Sequence, residues 1–144
     1  MRRCVWLIFV ICLASVCILP TVLCSCDSVE LAEYYAKKEN YICVTGTISY
    51  IQYNEDHSGL YLELSEMFPT LDDTCFKIVG KNLQITQSNG IDNKLKIGKQ
   101  IEFMTAPKYF GDGYVMPIVA ISIDGEKLLS FDEGYANLMN WLSK

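Results

Sequence analysis

Residues 41–64 read YICVTGTISYIQYNEDHSGLYLEL, and the reading of that stretch decides the fold. Ile42, Val44, Ile48 and Tyr50 fall on one side of an alternating pattern that Gly46 interrupts. Asn54 to Gly59 is rich in turn formers, and Leu60, Leu62 and Leu64 alternate again. Alternation on both sides of such a break is two strands and a reversal. The β-branched residues around Gly46 make this glycine a bulge or sharp bend. A strongly bent first strand is what a small closed barrel needs, because one strand then serves two sheets.

Working outward towards the amino terminus, Arg2 and Arg3 are followed by no charge until Asp27, and Val5 to Leu19 is an almost unbroken apolar run. A positive start, an apolar centre and a short polar end is the layout of a secretory signal peptide. Leu23-Cys24-Ser25-Cys26 resembles the lipobox of bacterial lipoproteins, although Cys24 in its middle departs from the usual pattern. The resemblance implies that Cys26 is the lipid-modified first residue of the mature chain, held at the cell membrane and facing away from the cytoplasm. Each buried methylene of an acyl chain contributes about 0.8 kcal/mol, so several chains anchor firmly where one is marginal. Two alternatives stay open. Ordinary cleavage would release the protein, and the apolar run could remain as one membrane helix, for which roughly 20 residues suffice.

Leaving out residues 1–25 gives 119 residues, enough for one domain with a small core. Both arginines go with the leader, so ten lysines face seventeen acids, a net of −7. Phosphate and base-edge recognition lean on arginine forks. This composition therefore argues against nucleic acid as a partner.

Residues 26–40 read as anchor followed by a short helix or stalk. Asp27 and Glu30 have capping-box spacing, and Glu33 precedes Lys37 by four. Tyr34 or Tyr35 is the candidate for packing over one barrel end. Beyond the hairpin, Glu66 to Asp73 is a loop, Cys75 to Val79 a third strand with Phe76 and Ile78 inward, and Lys81 to Asn89 a candidate helix closed by Gly90. Leu95-Lys96-Ile97-Gly98-Lys99-Gln100-Ile101 leads into a fourth strand, and Val115 to Ile123 is a fifth, with Pro117 at its start. Asp124-Gly125 makes a turn. Ser130 and Glu133 then have capping-box spacing before Tyr135, Leu138, Met139 and Leu142, the stripe of an amphipathic helix. Membrane contact through Trp141 is the lesser reading of that helix.

The pieces Val44-x-Gly46-x-Ile48 and Leu95, Gly98, Ile101, in that order with a strand and helix between, resemble oligonucleotide/oligosaccharide-binding (OB) folds over about residues 41–124. The arrangement is most similar to small extracytoplasmic domains of the bacterial tRNA-anti-like group. The fold this implies is mainly β: a five-stranded OB-like Greek-key barrel over residues 41–144, with a short N-terminal helix and a C-terminal amphipathic helix.

Little catalytic chemistry is in view. His57 is the only histidine and sits in the turn-like hairpin connection, which leaves a histidine-based triad without support. Asp72-Asp73 and Glu55-Asp56 lack the spacing of a calcium loop, and Cys43 with Cys75 is too few for a cysteine-rich zinc site. We assign no catalytic residue, metal or cofactor. A Cys43–Cys75 bridge would stabilise by roughly 3 to 4 kcal/mol in the chain-entropy model. Two strand spacings, about 9 to 10 Å, nevertheless exceed the roughly 7 Å that a disulfide spans. Separate thiols are expected.

In the OB class the ligand face lies on strands two and three between the loops joining strands one to two and four to five. The candidate ligand-binding residues there are Tyr53, Tyr61, Tyr109, Phe110, Asp112 and Tyr114, whose rings and acid suit a glycan or an envelope protein. Bracing the hairpin and capping the core is the other role open to them. The expectation is a membrane-anchored binding module. Its rival is a carboxylate- or calcium-dependent OB-fold enzyme such as a nuclease, against which the lack of cationic clamps counts.

Overall fold

The computed structural model describes residues 29–71, 73–110 and 114–143. The chain divides into two compact units, Met1–Ala36 and Lys37–Lys144. In the first, residues 29–36 are helical (α1), and the rings of Tyr34 and Tyr35 meet edge to face at 5.7 Å. The leader, Cys26 and Asp27 lie outside the described residues.

In the second unit a single 3₁₀ turn, Lys38–Asn40, leads into β1 (Ile42–Tyr53). There follow β2 (Gly59–Leu64), β3 (Cys75–Val79), α2 (Gly80–Ser88), the one-turn α3 (Ile91–Lys94), β4 (Gln100–Thr105), β5 (Met116–Ile123), β6 (Glu126–Leu129) and α4 (Phe131–Leu142). β1 is shared between two partners: residues 42–47 pair with β4 and residues 48–53 with β2, both antiparallel. β2 pairs with β3, β4 with β5, and the start of β5 runs parallel to β3 through Phe76↔Met116 and Lys77↔Pro117. The ring of pairings thus closes as β1-β2-β3-β5-β4-β1, the OB-type barrel expected from the sequence. A sixth strand, β6, extends the sheet beyond β5; the sequence reading stopped at five.

The bend in β1 differs from the expectation. Gly46 is regularly paired with Ile101, and the bulge falls three residues later, where Ile48 faces Leu64 and Tyr50 faces Glu63. Ser49 is the extra residue, and beyond it the side-chain parity reverses. Ile48 is buried and Ile51 and Tyr53 pack against the core, whereas Tyr50, expected inward, points out of the barrel. Gly46 serves close approach instead: a Cβ there would stand 2.7 Å from Leu64 Cδ1. Next to it the Thr47 amide donates to Glu66 Oε2 at 2.7 Å, and hydrogen bonding from the Thr47 side chain first and its amide second holds the Glu66 carboxylate below its usual pKa.

The core is the barrel interior. Phe76 and Phe103 meet at its centre, rings 4.6 Å apart and steeply inclined, among Ile48, Leu60, Leu62, Ile78, Ile101 and Ile121. Each such side chain contributes about 1.5 to 3 kcal/mol when fully buried. The Leu95–Ile101 segment owes its pattern to this closure. Leu95 and Ile101 are buried, and the turn between them is tied to β1 by Gly98 N–H donating to Ile48 O at 2.7 Å and Ile48 N–H donating to Lys99 O at 2.9 Å.

α4 lies directly on β5. Gly134 is buried, and a Cβ there would come within 2.7 Å of the Val119 carbonyl carbon. The buried Asn82 of α2 joins the two helices: its Nδ2 donates to Gly134 O at 3.1 Å and its Oδ1 accepts from Asn137 Nδ2 at 2.9 Å. Ser130 occupies the N-cap of α4 but makes no side-chain capping hydrogen bond, so the expected capping box is not formed. Asp132 and Glu133 instead place negative charge at the helix's positive end. Among the described residues, no helix is long and apolar enough to cross a membrane.

Candidate ligand-binding face

The second half of β1 with β2 and β3 presents two rows of side chains on the outside of the barrel. Pairing of Gln52 with Tyr61 and of Tyr61 with Lys77 defines one row, and Tyr50, Glu63 and Cys75 the next. Tyr50 is 41% exposed, and its hydroxyl donates to Gln52 Oε1 along the same strand. Lys77 lies inward over this surface, its Nζ 4.6 Å from the centroid of the Tyr61 ring. The stem has room because Gly59 stands beside it, where a Cβ would be 2.7 Å from Lys77 Cε. Among the described residues no carboxylate forms an ion pair with Lys77. The Lys77 charge also acts on the Asp56 carboxylate of the hairpin, so aromatic rings, an amide, a carboxylate and a cation share one open patch, which can stack flat groups and accept or donate hydrogen bonds.

The hairpin at one end of the patch is rigidly built. Asn54 Oδ1 accepts from Gly59 N–H at 2.7 Å, Asn54 Nδ2 donates to Ser58 Oγ at 2.9 Å, and Asp56 Oδ1 accepts from Ser58 N–H at 3.0 Å. The hydrogen bonds from Ser58 hold the Asp56 carboxylate below its usual pKa. His57, with φ of 56°, is exposed and lays its ring against Tyr53 at 5.2 Å.

The sequence-derived candidates separate into three groups. Tyr61 lies on the face. Tyr53, placed there by sequence, is directed by the parity change towards the core, and its hydroxyl donates to Asp92 at the start of α3. Burial, followed by the bond to Asp92, raises its pKa. Tyr109 and Tyr114 lie within the β4–β5 connection and meet edge to face, centroids 5.3 Å apart and nearly perpendicular, with Tyr114 77% exposed. Phe110 is buried; its amide donates to Val115 O at 2.8 Å and its ring meets Trp141 at 4.8 Å, so it braces the connection rather than offering a free ring. Asp112 lies outside the described residues. The Phe76↔Met116 pairing brings the start of β5 alongside the start of β3, next to the Cys75 end of the patch.

Sequence reasoning missed Tyr50, Gln52 and Lys77. Lys77 was legible as the outward residue between Phe76 and Ile78, but its neighbours Gly59 and Tyr61 depend on cross-strand register. Tyr50 was hidden by the bulge.

Cys43 and Cys75 are free thiols, one exposed and one half-buried, on β1's β4-paired half and on β3. Burial first, then Glu102 for Cys43 and Glu63 with Asp73 for Cys75, pushes both thiol pKa values up, which lowers their reactivity as nucleophiles. Among the described residues no group of three or more His, Cys, Asp or Glu is placed to hold a metal ion. On the opposite side of the barrel a shallow groove runs past Cys43, Glu102, Ala120, Ser122 and Phe131.

No family model and no curated protein matches the chain. Among solved structures it is similar to the crystal structure of a small single-stranded DNA binding protein from Mycoplasma pneumoniae. The identity is 15% and the TM-score 0.43, over 60% of this chain and 96% of that one. This comparison corrects the expectation that nucleic acid is disfavoured as a partner. That expectation rested on net charge, a sum over the chain that does not say where the charges lie.

Proposed function

We propose that this chain is a non-catalytic binding module, held by a lipid on Cys26 outside the cytoplasm, that takes its ligand on the outer face of β1, β2 and β3. The observation that carries this reading is the patch itself. Tyr50, Gln52, Tyr61 and Lys77 converge there in adjoining rows on a rigid sheet, and exposed aromatic groups with convergent polar partners favour ligand contact over packing. The absence of a catalytic role is supported by the single histidine on an exposed hairpin and by two thiols whose pKa values are raised. The Leu23-Cys24-Ser25-Cys26 segment behind an apolar leader supports the anchor.

Crosslinking in cells, with the Tyr50→Ala/Tyr61→Ala chain beside the parent, tests the face. The expected result is loss of the captured partner with thermal stability nearly unchanged, because both side chains lie outside the core. Equal capture by both chains would refute the assignment. Radioactive palmitate tests the anchor: label that is absent, or that survives Cys26→Ala, would refute lipid attachment there.

A further inference from the structure

The groove on the opposite side of the barrel, about 220 Å³ in volume, has no part in the function proposed above. Strand register sets its floor. Cys43 pairs with Met104 and Met104 with Ala120, so these three side chains form one outward row across β1, β4 and β5. Phe131 of α4 adjoins this row, and its ring packs against Tyr41 at 5.4 Å and Tyr135 at 5.7 Å, which fixes that wall before a ligand arrives. The next row is polar. Glu102 pairs with Ser122 and Ser122 with Lys127, which places a carboxylate and an ammonium on either side of a hydroxyl in the same cavity.

Among the described residues neither Glu102 nor Lys127 forms an ion pair, whereas the acids nearest them in sequence on β5, β6 and α4 are engaged: Asp124 with Lys99, Glu126 with Lys94 and Asp132 with Lys38. Glu102 accepts a long bond, 3.5 Å, from Ser122 Oγ. After burial, its charge is the second cause of the raised Cys43 pKa, so the carboxylate stands beside the apolar row. Two strand spacings, about 9 to 10 Å, separate the backbones that carry the two charges. An ammonium and a carboxylate on one carbon lie about 3 Å apart, and with a charge-assisted bond of about 2.8 Å at each end they bridge about 8 to 9 Å. A ligand with both groups on one carbon spans the gap and leaves its third substituent to lie over the apolar row.

We propose that this groove is a second binding site, for a free α-amino acid with an apolar side chain. Glu102 takes the ammonium, Lys127 the carboxylate, and Met104, Ala120 and Phe131 the side chain. The size agrees, since drug-sized ligands need about 300 to 1,000 Å³ and this cavity is smaller. The site shares no residue with the β1–β2–β3 face and stands or falls separately from it.

The test is calorimetric titration of the full chain in detergent with L-leucine, N-acetyl-L-leucine, L-leucinamide and tri-leucine, whose charged ends lie about 10 Å apart. Leucine is expected to bind, and removal of either charge from it to weaken binding about tenfold, as loss of a charged hydrogen bond does. Glu102→Gln should weaken leucine by the same factor and leave N-acetyl-leucine unaffected. Lys127→Gln should do the same for leucine and leave leucinamide unaffected, the coupling that a direct contact produces. Ala120→Leu, which fills the floor from outside the core, should abolish binding while the melting temperature stays close to the parent's. No binding of leucine, or binding that none of the three substitutions changes, would overturn the site. Loss in Ala120→Leu with equal affinity for leucine and its two blocked forms would overturn the roles of Glu102 and Lys127. Tri-leucine binding as tightly as leucine would overturn the amino-acid assignment in favour of a peptide.

Discussion

Glycine inside an exposed helix ordinarily costs about 1 kcal/mol relative to alanine, so Gly134→Ala would be expected to stabilise α4 on propensity alone. The packing of α4 on β5 reverses the sign. A methyl carbon at position 134 would run into the Val119 carbonyl oxygen and would stand 2.7 Å from the Val119 carbonyl carbon and 3.0 Å from Leu129 Cδ2. Carbon atoms in good contact are about 3.5 to 4.0 Å apart, so relieving the carbon contacts alone moves the helix by about 1 Å, and the carbonyl oxygen demands more. Such overpacking costs about 1 to 3 kcal/mol. The retreat also stretches the bond from Asn82 to Gly134 O, now 3.1 Å, and a broken buried bond adds about 1 kcal/mol. Against the propensity gain of about 1 kcal/mol, the net loss is about 1 to 3 kcal/mol. Urea unfolding followed by the emission of Trp141, which sits on the same helix, measures it. Ala136→Gly on the exposed side of α4 is the control and should lose about 1 kcal/mol. A Gly134→Ala chain as stable as the parent, or more so, would refute the close seating of α4 on the Val119 backbone.

Three further outcomes follow from the structure. Tyr53→Phe should lower stability by about 1 kcal/mol through loss of the bond to Asp92 and leave ligand capture unchanged, as calorimetry and crosslinking would show. Glu66 has a folded-state pKa below its unfolded value, so its contribution is present above the unfolded carboxylate pKa and is lost as pH falls through the folded one. Glu66→Gln should therefore lower stability at neutral pH, change little in acid below the folded pKa, and flatten the acid limb of the stability profile between them. Asn82→Ala removes partners from the Gly134 carbonyl and the Asn137 amide and should cost about 1 to 3 kcal/mol in a urea titration.

The barrel was legible because its closure leaves marks in sequence. Gly46 is required where Leu64 crosses β1, and Leu95, Gly98 and Ile101 recur because two side chains enter the core while the turn between them bonds to Ile48. Less was legible at the face. A bulge adds one residue without changing composition, so nothing in Ile48-Ser49-Tyr50-Ile51 announces that Tyr50 and Tyr53 exchange sides. β6 is four residues long, and its first two, Glu126 and Lys127, are exposed charges, so it reads as a connection. Lys77 gains its setting only from Gly59 and Tyr61 on the neighbouring strand. The net charge of −7 is a sum over the chain and carries no information about where charges lie.

Mapping the ligand by amide chemical shifts tests the central assignment most directly. On titration of the captured ligand into the labelled protein, the account predicts shifts concentrated at Tyr50 to Gln52, Tyr61 to Glu63 and Cys75 to Lys77. Shifts concentrated instead along Cys43, Glu102, Ala120 and Ser122, on the opposite side of the barrel, would contradict it.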